Sequence, residues 1–346
     1  MDAQAPDMSV RYPAVVRADD PTATGRRRRP AVRWAAAILT GLVALAVLGG
    51  SSRPSPDPTP APWHPVFFGL DVPNARTSTV ASVGERLGTR PTVAGLFIRY
   101  DSTWTASALR QLAAARLTPF VTLEPWHVSA RTGTPDPTDS LAELLTGRFD
   151  AALARQARAL ASSPGPIYLR FAHEMNGDWY PWSMGKNGNT PQEYVAAWRH
   201  VHALFARVAP ALRVRWVFAP AALGPTRPAA DLARLYPGRD VVDALGLTGY
   251  EHGGTSPWST FGPTVDALSA LGPQPVLLAE IGVDGAGKAT WLRELGGYLR
   301  GTARVRGFVY FDTTPATTGA TGDYALGRDD LPALRAALRE VGPASP

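Results

Sequence analysis

Cysteine is absent from this chain. That excludes disulfides, thiolate metal sites, cysteine nucleophiles and a lipid-modified cysteine behind any export signal. Histidine is scarce too: the six present fall into no His-Glu-x-x-His or paired spacing, so no metal is expected. There is no Gly-x-Ser-x-Gly elbow for serine hydrolysis, and no glycine-rich loop follows the first strand pattern to cradle a dinucleotide or phosphate. No cofactor is therefore implied. No repeat of solenoid period appears either. Excess positive charge is also scarce in the body of the chain. The formal net charge is +6, but residues 1–33 alone hold seven arginines against four aspartates. The rest is nearly balanced and shows no basic stripe for phosphates, so nucleic acid is not a partner.

What is present divides the chain into four stretches. Residues 1–33 are polar, contain proline and end in an arginine cluster, and are read as a disordered basic cytoplasmic tail. Residues 34–50, WAAAILTGLVALAVLGG, carry no charge. A bilayer asks for roughly 17 to 25 apolar residues, and basic residues on one flank mark the cytoplasmic side. The stretch reads as a transmembrane signal anchor or as a signal peptide cut near Gly49–Ser51; both place the remainder of the chain outside the cell. Residues 51–64 form a Pro-rich linker, extended and semi-rigid. A catalytic domain is read over 65–346.

In that last stretch short β-rich runs alternate with helical patterns. Strands are read over 66–72, 93–100, 118–124, 166–173, 213–219, 242–250, 275–281 and 305–311, several of them nearly continuous in apolar residues. Such runs suit parallel strands buried on both faces. Helical patterns cover 105–116, 150–163, 191–208, 262–271, 288–300 and 330–341, with Thr190 and Pro191 suited to cap and open the third. Eight such units over about 280 residues make an α/β fold of the (β/α)8 TIM-barrel class.

Barrel chemistry sits at the C-terminal strand ends. Polar residues there are Asp71, Arg99, Asp101, Glu124, Arg170, His173, Glu174, Tyr250, Glu280 and Asp312. Glu174 lies in LRFAHEMNGDWYPW, among His173, Asn176, Trp179, Tyr180 and Trp182; Glu280 closes the apolar run of VLLAEIGV. Cleaving a glycosidic bond needs one group to protonate the leaving oxygen and another to meet the developing oxocarbenium ion. Aromatic rings offer flat faces to sugars and N–H or O–H tips to hydroxyls. The RFAHEMNGDWYPW stretch resembles the acid/base signature of family 26 glycoside hydrolases, clan A barrels known mostly for β-mannanases. The likeness runs over roughly residues 65–340 and takes in LEPW at 123–126, WVFAP at 216–220, GLTGY at 246–250, AEIG at 279–282 and VYFD at 309–312.

That resemblance implies Glu174 as general acid/base, Glu280 as nucleophile and Tyr250 as the tyrosine that hydrogen-bonds the nucleophile. His173 takes the slot before the acid, where clan relatives outside the family usually carry Asn. Two positions depart from the pattern: Ala219-Pro220-Ala221 stands where relatives read Ser-Pro-Asn, and Phe311 where mannanases often place Trp. Substrate contact is also assigned to Asn176, to Glu124 in a supporting role, and to Arg170, which either touches substrate or neutralises a barrel carboxylate. Trp126, Trp179, Trp182 and Trp258 are divided between packing and sugar stacking. The reading is a retaining endo-β-1,4-mannanase acting on a β-linked polysaccharide. Its alternatives are a lichenase- or xylanase-type β-glycanase of the same family, or an inactive carbohydrate-binding surface protein. Two retained carboxylates favour the enzyme, since a binder gains nothing from crowding like charges.

Overall fold

The computed structural model describes residues 66–342 apart from 103–105, 128–137, 225–226, 252–253 and 319–321. The tail, the apolar run 34–50 and the Pro-rich linker lie outside the described residues. Among the described residues no helix is long and apolar enough to cross a membrane.

Eight parallel strands close into one barrel in sequence order: β1 (Phe67–Asp71), β2 (Val93–Arg99), β3 (Thr118–Glu124), β4 (Ile167–Phe171), β5 (Val214–Phe218), β6 (Ala244–Glu251), β7 (Val276–Val283) and β8 (Val305–Phe311). β1 pairs with β8 from Phe67↔Gly307 to Asp71↔Phe311, which shuts the ring. Around it run α1 (Thr77–Leu87), α2 (Ala106–Ala114), α3 (Leu141–Leu145), α4 (Asp150–Leu160), α5 (Pro191–Val208), α6 (Ala229–Leu235), α7 (Pro257–Leu271), α8 (Lys288–Gly301), α9 (Pro315–Thr318) and α10 (Leu331–Val341).

Strand alternation sorts side chains into two cores. Outward residues such as Phe68, Leu70, Ile98, Leu123 and Phe218 pack against the helices in the larger core. Inward residues including Val93, Phe120, Val217, Leu277 and Val309 fill the lower barrel as a separate cluster. Continuing each inward row toward the strand ends leads to Asp71, Thr122, Glu124, Arg170, Thr248 and Tyr250. The same period of two that builds the core therefore delivers polar groups to one mouth.

Four helices stand outside the sequence patterns, the short α3 and α9 and also α1 and α6, which fill the places after β1 and β5. Segment 77–87 is rich in Thr, Ser and Val and contains Gly84, all weak helix formers. It is helical because Val80, Val83, Gly84 and Leu87 form one buried stripe, and tertiary burial outweighs propensity. α7 begins at Pro257, earlier than the pattern suggests; Pro263 in its interior masks the first turns, which Ser256 caps through Ser259 N–H. α5 starts as expected: Thr190 and Glu193 form a reciprocal capping box around Pro191. Strand four is shorter than its sequence pattern. It stops at Phe171 because Ala172 and Glu174 turn into left-handed backbone (φ 47° and 55°), so His173 and Glu174 stand beyond the strand.

The α8–α10 contact depends on Gly296, where an added Cβ would lie 2.7 Å from the Ala337 backbone Cα. At the adjacent Gly297 it would meet only the rim of the exposed Trp258 ring, at 3.2 Å. Overpacking against backbone costs about 1–3 kcal/mol, against roughly 1 kcal/mol gained from helix propensity. Gly296→Ala is expected to lower the urea midpoint, while Gly297→Ala leaves it unchanged or raises it; equal shifts would refute the close-approach argument.

Candidate active site

β4 brings Arg170 to the centre of the mouth. Its guanidinium is almost fully buried and directs its donors to three strands: Nε donates to Thr122 Oγ1 on β3 at 2.6 Å, Nη1 to Thr248 Oγ1 on β6 at 3.0 Å, and Nη2 to Glu280 Oε2 on β7. Burial works against the arginine's charge, but attraction to Glu280 and the hydrogen bond donated to it offset this, so its pKa stays above the usual value. Phe97 and Phe120 flank the guanidinium, with ring centroids 5.4 and 5.8 Å from Cζ.

Glu280 is aimed by an irregularity. Along the β6–β7 pairing Leu247 faces Leu278 but Thr248 faces Glu280, so β7 carries one extra residue at Ala279. Such a bulge re-aims the next side chain. The carboxylate accepts from Arg170 and, on Oε1, from the Tyr250 hydroxyl. Burial, then the Glu280 charge, push the Tyr250 pKa up, so its proton remains available for that bond.

Glu174 occupies the loop after β4. Non-glycine residues in the left-handed region cost about 1–3 kcal/mol, and two of them here are held by hydrogen bonds. Glu174 N–H donates to Ala219 carbonyl at 2.9 Å. Asn176 Nδ2 donates to Ala221 carbonyl at 2.9 Å, and its Oδ1 accepts from Ala221 N–H at 2.8 Å. The Glu174 carboxyl accepts from Trp179 Nε1 at 2.6 Å and bonds the Thr248 side chain. Burial, then the negative charge of Glu280, push its pKa to about 7, in spite of Arg170 and these hydrogen bonds. Two carboxyls in electrostatic contact thus differ in environment: Glu280 touches a cation and a hydroxyl, while Glu174 is set to hold a proton near neutrality.

Three further titratable groups share the mouth. Glu124, buried at the end of β3, accepts from Trp126 Nε1 at 3.1 Å through Oε2, and its Oε1 has no partner among the described residues. Burial lifts its pKa to about 7 against the pull of Trp126, Arg99 and Arg170. Asp71, at the end of β1, fits only because residue 95 is glycine: a Cβ there would lie 2.7 Å from Asp71 Cγ. Burial and then Glu280 raise its pKa well above the carboxylate range. His173 is buried among Phe97, Tyr180 and Trp182 with neither ring nitrogen partnered among the described residues. Burial, helped by Arg170, pushes its pKa down and keeps the imidazole neutral.

The residues singled out in the sequence therefore separate by location. Glu174, Glu280, Arg170, Tyr250, His173 and Glu124 converge. Trp182 is fully buried, stacks on Tyr180 at 4.3 Å and donates to His173 carbonyl at 2.7 Å, so it packs and offers no face to a sugar. Trp126 is likewise buried as the donor to Glu124. Asn176 gives its amide to Ala221 and acts as a loop staple. Phe311 lies beneath Tyr250 and Tyr324, edge-on at 5.8 Å to the former. Trp258 is 48% exposed but outside the mouth, edge-on to Tyr298 of α8. Trp179 alone among the described tryptophans lies half-buried beside a carboxylate of the cleft. Thr122 and Thr248 escaped notice in the sequence, although each lies two residues before an inward site residue, which is the signal that places them on the same face. Among the described residues no cluster of metal-ligating side chains occurs.

The model of glycosyl hydrolase family 26 matches residues 134–281, a span that contains Glu174, Tyr250 and Glu280. Over 186 residues the chain is 31% identical to Endoglucanase H of Acetivibrio thermocellus, covering 50% of this chain and 19% of that protein. Over 102 residues it is 31% identical to Beta-1,3-xylanase TXYA of a Vibrio species, covering 30% of this chain and 20% of that one. The chain thus spans about a fifth of the length of these relatives. Among solved structures, a family 26 β-mannanase of Bacteroides ovatus superposes with a TM-score of 0.64 at 17% identity, over 81% of this chain and 90% of that chain. At that identity the likeness concerns the fold.

Glu124 tests the electrostatics of the mouth. Unfolded, it titrates near 4.5; folded, near 7. The folded state then binds the extra proton, so stability is full below pH 4.5 and is lost as pH rises through 7, by about 3 kcal/mol. Urea midpoints measured at pH 5 and pH 8 should fall on going to pH 8, and fall less in Glu124→Gln. Parallel slopes in the two proteins would show that Glu124 is not buried with a proton.

Proposed function

We propose that this domain is a retaining hydrolase of β-linked glycans, with Glu280 as nucleophile and Glu174 as general acid/base. One observation carries the reading: two interacting carboxyls, one fixed by Arg170 and Tyr250, the other raised to about 7 by burial and by its neighbour's charge. In the first step a Glu280 oxygen bonds the anomeric carbon as the bond to the leaving oxygen breaks, and that oxygen takes the proton from Glu174. In the second, water attacks the anomeric carbon, Glu174 takes a proton from it, and the ester to Glu280 breaks. Each step returns what the other used, and the product keeps the β configuration.

Arg170 has two tasks in this scheme. It offsets the cost of a buried carboxylate, and it leaves the Glu280 charge strong enough to hold the proton on Glu174. The unpartnered nitrogens of His173 and Oε1 of Glu124 supply hydrogen-bonding positions for the hydroxyls of the sugar over Glu280. Three sugars have support. Mannan follows from the motif resemblance; β-glucan follows from the 31% identity to a protein named as an endoglucanase, and β-1,3-xylan from the 31% identity to a protein named as a β-1,3-xylanase. The outward location read from the arginine cluster and the run 34–50, by anchor or by cleaved signal, belongs to this proposal and rests on those residues alone.

Reducing-sugar release from mannan, lichenan and xylan, followed by proton NMR of fresh product, tests the reaction and its stereochemistry together. The β-anomer should appear first on at least one glycan; an α-anomer first would eliminate the double displacement. Glu174→Ala should lower polysaccharide turnover by about 10²–10⁴-fold and spare an aryl glycoside with a good leaving group far more. Equal loss on both substrates would remove Glu174 from the acid role.

A further inference from the structure

A cation stands beside the proposed acid that the double displacement does not use. Arg227 lies after β5 and is paired with Gly224 by two backbone bonds, Arg227 N to Gly224 O at 3.0 Å and Gly224 N to Arg227 O at 3.4 Å. Its Nε donates to Ala222 carbonyl at 2.9 Å, and its Cζ lies 5.6 Å from the centroid of the Trp179 ring. Trp179 is held on other sides as well. Its Nε1 is bonded to Glu174, and its six-membered ring packs so tightly on Gly177 that a Cβ there would come within 2.6 Å. An indole covered by a guanidinium and a backbone is not an open platform for a sugar. Arg227 is itself half-buried here, and its Nη1 and Nη2 form no hydrogen bond among the described residues.

The side of the cleft is fixed by what touches which carboxyl. Arg170 and Tyr250 bond Glu280, which must face the anomeric carbon, so they flank the sugar that stays. Trp179 bonds Glu174, which must face the departing oxygen, so Trp179 and the arginine over it flank the sugar that leaves. We propose that Arg227 is the leaving-side binding residue of this cleft. Its planar fork donates to neighbouring hydroxyls of the departing sugar while its face fixes Trp179 against Glu174. This role rests on the hydrolase reading of the site. Guanidinium suits both tasks, because it stacks on an aromatic face and still presents parallel N–H groups at its edge.

The test uses Arg227→Met and Arg227→Gln in the full chain, and again in a Glu280→Ala background that binds without turnover. Quenching of tryptophan fluorescence by mannotetraose and by cellotetraose reads affinity; turnover of the preferred glycan and of an aryl glycoside reads chemistry. Losing charge-assisted hydrogen bonds to a sugar is expected to weaken tetraose binding roughly tenfold, with a similar fall in kcat/KM on glycan. The aryl glycoside, which has no leaving sugar, should lose much less. Unchanged tetraose affinity and glycan turnover would overturn the proposal. So would equal losses on glycan and aryl glycoside, because the arginine would then only hold the loop. Should the parent protein neither bind a tetraose nor cleave any glycan or aryl glycoside, the hydrolase reading itself fails and Arg227 loses its role with it.

Discussion

The mouth of this barrel is organised around one buried ion pair, Arg170 with Glu280. A carboxylate taken out of water costs several kcal/mol unless it is paired and hydrogen-bonded. Here the pairing is shared across four strands, since Arg170 also binds Thr122 and Thr248 while Tyr250 donates to Glu280. Removing the arginine would leave an unpaired negative charge in the barrel and unfasten three strands at once. The other groups take their states from this pair. Glu280's charge helps raise Glu174, Asp71 and Tyr250; Arg170 helps keep His173 neutral.

The second constraint is the left-handed backbone at Ala172 and Glu174. It ends β4 early and turns the Glu174 carboxyl toward Thr248 and Trp179. Strain of this kind persists only where surroundings over-determine it. The loops after β4 and β5 provide that through Glu174 to Ala219 and Asn176 to Ala221. These bonds also give a physical account of the Ala219-Pro220-Ala221 segment. Asn176 binds backbone atoms of residue 221, so the side chain at that position is not what secures the Glu174 loop.

Burial rather than polarity sets the tone of the cleft. Glu124, Glu174, Asp71 and His173 are all shifted first by desolvation, each toward its neutral form. A cleft so built offers neutral donors and acceptors to an uncharged ligand. Sugars, which carry many hydroxyls and no charge, are matched by such a surface. Trp182 and Trp126 serve it from behind, positioning His173 and Glu124 through their indole nitrogens.

The sequence by itself determined the barrel and brought out Glu174 and Glu280 as carboxylates at its strand ends. Eight apolar runs separated by helical patterns admit few alternatives, because parallel strands buried on both faces must be covered by helices. A charged residue at the end of an apolar run, as at Glu280, or inside an aromatic cluster, as at Glu174, is costly unless used, and so is visible. Tertiary structure alone decided the rest. Whether a tryptophan packs or faces the cleft depends on loop paths that no periodicity encodes, which is why Trp182 and Trp126 lie behind the site and Trp258 outside it. α1 was hidden because its burial, not its composition, makes it helical. The contacts of Thr122, Thr248, Asp71 and Arg227 with residues distant in the chain emerged only in the fold. A side chain's electrostatic environment is a property of the elements packed around it, and those elements meet only when the ring of strands closes.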